Sequence, residues 1–121
     1  MPMVTTYRIC VIPGDGIGQE VTPQAVRVLE AAARRHGFRL DLRTEPWGSA
    51  YYAEHGRMMP EDGHQTVAAA DATLFGAVGS PEVPDTVSAW GLILSIRQKL
   101  DLYVNLRPIR VFPGVPSPVK R

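Results

Sequence analysis

The 121-residue sequence has a single cysteine and almost no net charge, and each shortage excludes a class of protein. Cys10 cannot form an internal disulfide, and its position in a β-branched run predicts a buried, unreactive thiol. Thirteen basic residues against 12 acidic ones leave a formal charge of +1, without the excess of basic charge that nucleic-acid-binding proteins carry. No Cys/His cluster has metal-ligand spacing. We therefore expect no nucleic-acid partner.

Long apolar runs are also missing. The apolar stretches are too short to span a membrane, and residues 1–6 lack the charged start of a secretory signal. The apolar run that follows them is interrupted at Pro13. These features predict a cytoplasmic protein with no membrane partner. The length suits one domain with a real core and is short for a two-domain enzyme.

Patterns typical of strands and helices alternate along the chain. Residues 7–12, 38–44 and 72–78 have the character of strands, the first and last buried and the second half-exposed. Residues 18–36 have helical spacing of apolar side chains and stop at Gly37, and residues 47–56 and 61–70 are typical of short helices. This alternation predicts an α/β fold, a mainly parallel sheet with helices on both faces.

A glycine-rich loop, PGDGIG at residues 13–18, follows the first strand. Glycines allow a sharp turn and leave amide groups uncovered at the start of a helix, where anions are favoured. The spacing does not match the dinucleotide fingerprint, because Gln19 stands where that fingerprint has its third glycine. Two interpretations remain open, an anion-binding loop and a tight turn without a ligand.

Two arginines occur near the end of the chain. At helical period, Arg97 shares an arc with Trp90, Ile93 and Leu94, and a second apolar arc holds Ala89, Leu92, Ile96 and Leu100. After this helix, alternation over residues 103–107 predicts a strand that carries Arg107. Arginine grips carboxylates through two parallel hydrogen bonds, but most arginines are solvated surface charges. Spacing alone leaves both interpretations open.

Four motifs resemble, in order and spacing, the start of the isocitrate/isopropylmalate dehydrogenase family. They are PGDGIGQE at 13–20, FGAVG at 75–79, LSIR at 94–97 and NLRP at 105–108. Within the family, WGSAYY at 47–52, HGRMMP at 55–60, VPD at 83–85 and WG at 90–91 are most similar to the tartrate dehydrogenase and decarboxylating D-malate dehydrogenase branch. The resemblance extends over nearly the whole chain.

The resemblance implies an isopropylmalate-dehydrogenase-like three-layer α/β/α sandwich, which differs from the ordinary dinucleotide-binding fold. Residues 1–100 would form the N-terminal part of the large α/β domain, and residues 101–121 would begin a second domain. The family transfers a hydride from the C2 carbinol of a malate-type acid to NAD. It then releases carbon dioxide with help from Mg or Mn. The full-length protein would be a homodimer.

Site residues follow from the same resemblance. Arg97 and Arg107 match the arginines that clamp the substrate carboxylates in the family. Trp90, Ile93 and Leu94 match residues that line the acid pocket. Five further residues match segments near the nicotinamide end of the cofactor: Ile17, Gly79, Ser80, Pro81 and Glu82. The branch implies NAD rather than NADP, although no residue of this chain decides between the two.

Substrate size in the family depends on the residues just before the first arginine. Isopropylmalate enzymes have a glutamate where this chain has Trp90. Isocitrate enzymes have a serine and an asparagine where it has Gly91 and Ile93. The resemblance therefore implies a small 2-hydroxy dicarboxylic acid such as D-malate or tartrate. One segment, GVPSPVK at 114–120, is instead more similar to the isocitrate branch.

Several functional residues of the family have no counterpart in this sequence. The third substrate arginine, the proton-transferring tyrosine and lysine, the metal-binding aspartates and the adenosine-binding segment would follow Arg121. We therefore assign no catalytic or metal-ligating residue and expect an N-terminal portion that is inactive alone. The alternatives are an inactive remnant serving as a small-molecule-binding or subunit-association module and, within the family, a 3-isopropylmalate or isocitrate dehydrogenase.

Overall fold

Three parallel strands form the sheet in the computed structural model, which describes residues 4–118. The strands are β1 (Thr6–Gly14), β2 (Arg39–Thr44) and β3 (Ala72–Ala77), in the order β2-β1-β3. In the register of the sheet, Ile9 of β1 is paired with Leu42 of β2 and Ala72 of β3. All three strands lie within two residues of the predicted ranges, and the parallel α/β fold is confirmed.

The helices lie between and after the strands. Their bounds are α1 (Gly18–His36), α2 (Ser49–His55), α3 (Gly63–Ala68), α4 (Asp85–Ser88) and α5 (Leu94–Lys99), with a π-helical turn at Ala89–Ile93 between the last two. The predicted bounds of α1 are confirmed. It ends at Gly37, whose left-handed φ of 72° lets its N–H donate to the Ala33 carbonyl at 2.9 Å.

The central strand β1 supplies both faces of the core because successive side chains point to opposite sides of a sheet. Val11 is buried on the face that α1 covers. Cys10 and Ile12 are buried on the other face, and burial raises the pKa of the Cys10 thiol. The predicted burial of Cys10 is confirmed. The core on that second face consists of these two residues with Trp47, Met58, Met59, Val67, Val83, Leu92 and Ile96.

Strand β3 is less buried than its apolar sequence predicts. Ala72 and Thr73 are exposed, and Leu74 to Ala77 are half-buried. Within residues 4–118, β3 pairs only with β1, so it lies at an edge of the sheet and its outer side lacks a neighbour. The prediction of a buried strand is corrected in that respect.

The predicted strand at residues 103–107 is wrong for the described part of the chain. Residues after Asp101 contain neither helix nor strand as far as Pro118, and Tyr103 and Leu106 are more than four-fifths exposed. A strand needs a hydrogen-bonding neighbour, and no partner strand is found among residues 4–118. The proposed domain boundary at residue 100 stays a prediction. Residues 1–3 and 119–121, which include the end of the GVPSPVK segment, lie outside the described residues.

A bidentate ion pair fastens the start of β3 to β1. Arg8 Nη2 and Nε donate to the Asp71 carboxylate at 2.9 and 3.2 Å, and the Arg8 backbone N–H donates to it at 2.8 Å. These contacts, chiefly the side-chain hydrogen bond from Arg8, lower the pKa of Asp71 from 3.8 to about 2. Both side chains are substantially exposed, so solvent screens the pair.

We expect this pair to make stability pH-dependent in acid. Because the pKa of Asp71 is lower in the folded state, the contact stabilises the fold above about pH 4, and this contribution is lost as the pH falls through 2. Thermal melts from pH 5 to pH 2 test this. The difference in melting temperature between the unaltered chain and Asp71→Asn should shrink across that range. A difference that stayed constant from pH 5 to pH 2 would contradict this role of the pair.

Candidate functional site

The helical segment that carries the predicted acid-binding residues contains a widened turn. The Leu94 N–H donates to the Ala89 carbonyl, five residues back, instead of to residue 90. Burial agrees with the two predicted faces in part, since Leu92 and Ile96 are buried and Trp90 is 56 % exposed, whereas Ala89 and Leu100 are only half-buried. A continuous α-helix is not found, because the π turn changes the phase of the helix by about one residue, roughly 100°. Ile93 and Leu94 are half-buried.

Close packing beside the turn explains how Trp90 comes to be exposed. A Cβ atom at Gly91 would lie 2.8 Å from Cγ of Met58, a side chain that is fully buried in the core. The absence of a side chain at Gly91 therefore lets the helix approach Met58 closely. Trp90, the preceding residue, is left on the outer side of the same turn.

Arg97 is half-buried and has partners of its own. Its Nη2 donates to the carbonyl oxygens of Leu102 at 2.8 Å and Val104 at 3.1 Å. The sequence suggested an anionic partner for a charge in an apolar stripe, but among the described residues the partners are backbone carbonyls. A guanidinium can offer a carboxylate two pairs of parallel N–H groups, Nη1 with Nη2 and Nε with Nη2, and Nη2 belongs to both pairs. Arg97 can therefore form two hydrogen bonds to a carboxylate only if the Leu102 or the Val104 carbonyl releases Nη2.

A sharp corner after α5 brings those carbonyls to Arg97. Asp101 has a φ of 52°, the left-handed conformation usually taken by glycine. The Leu102 N–H donates to the Arg97 carbonyl at 2.9 Å and the Asp101 N–H to the Gln98 carbonyl at 3.3 Å. These are the two bonds of a Schellman motif. Sequence reasoning missed the corner, although Asp tolerates this conformation better than most residues.

The structure does not bring the two arginines together. Arg107 is exposed in the irregular chain after the corner and makes no side-chain hydrogen bond or ion pair with any other residue in the described range. Leu106 and Ile109 on either side of it are more than four-fifths exposed. The carboxylate-binding role of Arg107 is untested and stays a prediction.

Asp15 joins three segments that are far apart in sequence. Its Oδ1 accepts the Ser49 backbone N–H at 2.7 Å at the start of α2. Its Oδ2 accepts the Ser49 hydroxyl at 2.7 Å and the Gly79 N–H at 2.9 Å. Asp15 thereby links the loop that carries the predicted cofactor residue Ile17 to Gly79, the first residue of the predicted cofactor segment 79–82. No sequence signal pointed to this role of Asp15, because its partners lie 34 and 64 residues away.

The first two amides of α1 itself are occupied. The Gly18 N–H donates to the Asp15 carbonyl at 2.8 Å, and the Gln19 N–H donates to the Gly16 carbonyl at 3.1 Å. The Gln19 side-chain amide donates to the Gly14 carbonyl at 2.5 Å. These bonds are typical of a tight turn, but the N–H groups of Gly16 and Ile17 have no acceptor among residues 4–118, so both interpretations of the loop stay open.

The surface beside the two loops is open enough for a flat ring. Ile17 is 66 % exposed, and a Cβ atom at Gly79 would meet no atom within 4 Å. Pro81 and Glu82 are also exposed, and Ser80 is half-buried, its carbonyl accepting the Val83 N–H at 3.1 Å. An exposed apolar side chain and an unobstructed glycine leave room for the flat nicotinamide end of NAD, and the assignment of these residues to the cofactor stays a prediction.

A divalent metal does not fit the residues that the structure describes. No group of three or more His, Cys, Asp or Glu side chains in residues 4–118 is placed to hold a metal ion.

No helix in this range is long and apolar enough to cross a membrane.

Known proteins match most of this chain. The chain is 55% identical over 119 residues to a decarboxylating D-malate dehydrogenase of Escherichia coli strain K12, covering 97% of this chain and 33% of the relative. It is 53% identical over 113 residues to a tartrate dehydrogenase/decarboxylase of Pseudomonas putida, covering 92% and 31%. The chain thus spans about a third of the length of these curated relatives.

A solved structure shows the same fold. The apo form of a beta-decarboxylating dehydrogenase from Thermococcus kodakarensis matches with a TM-score of 0.63 and 38% sequence identity, over 80% of this chain and 27% of that one. The isopropylmalate-dehydrogenase-like α/β fold is confirmed. The family model for isocitrate/isopropylmalate dehydrogenases matches residues 8–121. With nearly the whole sequence matched, the chain belongs to the isocitrate/isopropylmalate dehydrogenase family.

Proposed function

We propose that this chain is the N-terminal portion of an NAD-dependent, metal-assisted oxidative decarboxylase of small 2-hydroxy dicarboxylic acids, of the D-malate or tartrate type. The observation that carries the proposal is the 55% identity to a decarboxylating D-malate dehydrogenase, which extends over 97% of the chain. The full-length protein would be a cytoplasmic homodimer with no membrane or nucleic-acid partner.

The helix with the widened turn would bind the acid. Trp90 is exposed enough to limit the length of the pocket, and the half-buried Ile93 and Leu94 would supply its apolar wall. Arg97 and Arg107 would hold the carboxylates. A two-bond grip by Arg97 would displace the Val104 carbonyl rather than that of Leu102, because the Val104 contact is longer, 3.1 against 2.8 Å.

The two loops joined by Asp15 would border the nicotinamide end of the cofactor. Ile17 would pack against the ring, and residues 79–82 would lie at its edge, where the surface is open. NAD would supply the hydride acceptor, and Mg or Mn, held by residues other than those described, would supply Lewis-acid assistance to decarboxylation. The metal ligands and proton-transferring groups would come from the rest of the full-length protein.

A fusion tests the proposed function directly. Residues 1–121 would replace the matching first third of the Escherichia coli relative, whose remaining two thirds are retained. We expect the purified fusion to reduce NAD with D-malate or tartrate, to release carbon dioxide, and to turn over isocitrate and isopropylmalate far less. The unaltered relative is the control. A fusion that folds as the control does but prefers isopropylmalate, or turns over none of these acids, would contradict the proposal.

The 121-residue chain alone should bind NAD weakly. Only the segments assigned to the nicotinamide end are present, and a cofactor that forms few of its contacts loses most of its affinity. Titration calorimetry of the isolated chain with NAD is expected to show no binding in the micromolar range. Micromolar affinity would contradict the proposal that this chain contacts only the nicotinamide end of the cofactor, through Ile17 and residues 79–82.

A further inference from the structure

Asp15 is a charged group in an unusual setting. Its side chain is partly buried, and no basic side chain pairs with it among residues 4–118. Three hydrogen bonds, two from backbone N–H groups and one from a hydroxyl, satisfy its carboxylate oxygens. Taking a carboxylate out of water is costly, and charge-assisted bonds of this kind offset the cost.

Those bonds link Asp15 to two other segments of the chain. Oδ1 accepts the Ser49 backbone N–H, and Oδ2 accepts both the Ser49 hydroxyl and the Gly79 N–H. A carboxylate has about four lone-pair sites, so most of them are occupied by these neighbouring segments. The contacts therefore hold residues 15, 49 and 79 together.

The backbone around the carboxylate is shaped to receive it. A Cβ atom at Gly48 would lie 2.7 Å from Asp15 Oδ1, so the carboxylate occupies the space that a side chain at 48 would need. Gly48 and Gly79 have φ values of 146° and 139°, which residues with side chains rarely adopt. Glycine at position 48 lets the N–H of the next residue, Ser49, point at Asp15. Glycine at position 79 lets its own N–H do the same.

We propose that Asp15 is a positioning residue that sets the spacing between residues 14–17 and 79–82 and thereby shapes the surface for the nicotinamide end of the cofactor. The inference rests on the proposed function, which assigns these two segments to the cofactor. Asp15 acts through Gly79 rather than by touching NAD. The Ser49 contacts tie the same carboxylate to α2, so that its orientation is fixed independently of the ligand.

Asp15→Asn in the active fusion tests this. Asparagine keeps the shape but replaces one acceptor oxygen with an NH₂ group, which would face the N–H of Ser49 or of Gly79. We expect KM for NAD to rise about tenfold to a hundredfold, as for loss of a charge-assisted hydrogen bond. KM for the acid should stay within about twofold, since Arg97 and Trp90 are not part of this network.

Ser49→Ala is the matched control. It removes the hydroxyl donor but leaves both backbone N–H contacts, including the one from Gly79, so KM for NAD should change less than about threefold. If Asp15→Asn does not fold, Gly79→Ala perturbs the same loop from its other end, because φ of 139° is strained for alanine and open space surrounds the position. That variant should also raise KM for NAD selectively.

Two results would overturn the inference. One is a lower melting temperature with unchanged KM for NAD in both Asp15→Asn and Gly79→Ala, which is the signature of a purely structural role. The other is rapid hydrogen exchange of the Gly79 amide in the unaltered fusion, since an exposed glycine is protected only if its N–H is bonded. Failure of the proposed function would differ from both, because the unaltered fusion would then prefer isopropylmalate or turn over none of the acids while its Gly79 amide stayed protected.

Discussion

Replacing Arg97 or Arg107 with lysine in the active fusion should lower kcat/KM for D-malate about tenfold to a hundredfold. Lysine keeps the positive charge but loses the planar fork that forms two parallel hydrogen bonds to a carboxylate. A hydrogen bond to a charged group contributes about 1.5–3 kcal/mol, which corresponds to this range of rate constants. Steady-state kinetics at varied D-malate and saturating NAD measure the effect.

The structure distinguishes the two arginines. Arg97→Lys also loses hydrogen bonds to the Leu102 and Val104 carbonyls, so it should loosen the corner after α5 as well as weaken acid binding. Arg107 has no side-chain partner within the described residues, so Arg107→Lys should leave the melting temperature unchanged. A fall in kcat/KM with no change in stability at position 107 would therefore be the cleaner evidence for a carboxylate contact.

Arg110 provides the internal control. Its guanidinium lies 5.8 Å from the centre of the Phe112 ring, a contact that an ammonium group can also form. Arg110→Lys should therefore cost less than about threefold in kcat/KM, since no carboxylate is assigned to it. Equal losses at positions 97, 107 and 110 would contradict the proposed pocket, as would a silent Arg97→Lys combined with unchanged D-malate turnover in Trp90→Glu.

Gly14→Ala should destabilise the fold far more than Gly37→Ala. The two glycines have nearly the same φ, 73° and 72°, so alanine meets the same backbone penalty of about 1–2 kcal/mol at each. They differ in their surroundings. A Cβ atom at Gly14 would lie 1.9 Å from the Ala77 carbonyl oxygen, and at Gly37 it would meet nothing within 4 Å.

The clash at Gly14 has no easy relief. Gly14 and Ala77 are paired in the sheet, and the same Ala77 carbonyl accepts the Asp15 N–H at 2.7 Å. Moving either strand would break that bond and pull Asp15 from its partners, a combined cost above roughly 4 kcal/mol. Urea unfolding followed by circular dichroism separates the two variants. Equal losses of unfolding free energy would show that the β1–β3 pairing is looser than the structure indicates.

Local patterns predicted the sheet and α1 well, for identifiable reasons. The β-branched run that contains Ile9, Val11 and Ile12 has a strong preference for a buried strand. Gly37 stops α1 because few other residues tolerate its φ. Both signals lie within the element itself, so the sequence carries them without knowledge of the fold.

The features that sequence reasoning missed depend on contacts between distant segments. The residues next to Asp15 in the sequence do not predict that its carboxylate will bind Ser49 and Gly79. These contacts depend on how α2 and β3 pack beside β1. The partners of Arg97 likewise depend on the left-handed Asp101, an unusual residue at a position where glycine is the common signal. The exposure of residues 103–107 follows from the lack of a neighbouring strand in the described chain.

The widened turn at Ala89–Ile93 affects how such a chain can diverge. Ser88, Leu92 and Ile96 are buried and stand four residues apart, a spacing that drifts by about 40° per step in an uninterrupted α-helix. The extra residue in the turn cancels much of that drift and keeps all three anchors on the core. Substitutions of Trp90 can then change the exposed surface of this segment without moving α5 away from the core. Deletion of a single codon in the turn would instead rotate Trp90 by roughly 100° relative to Arg97, so we expect natural variation here to consist of substitutions.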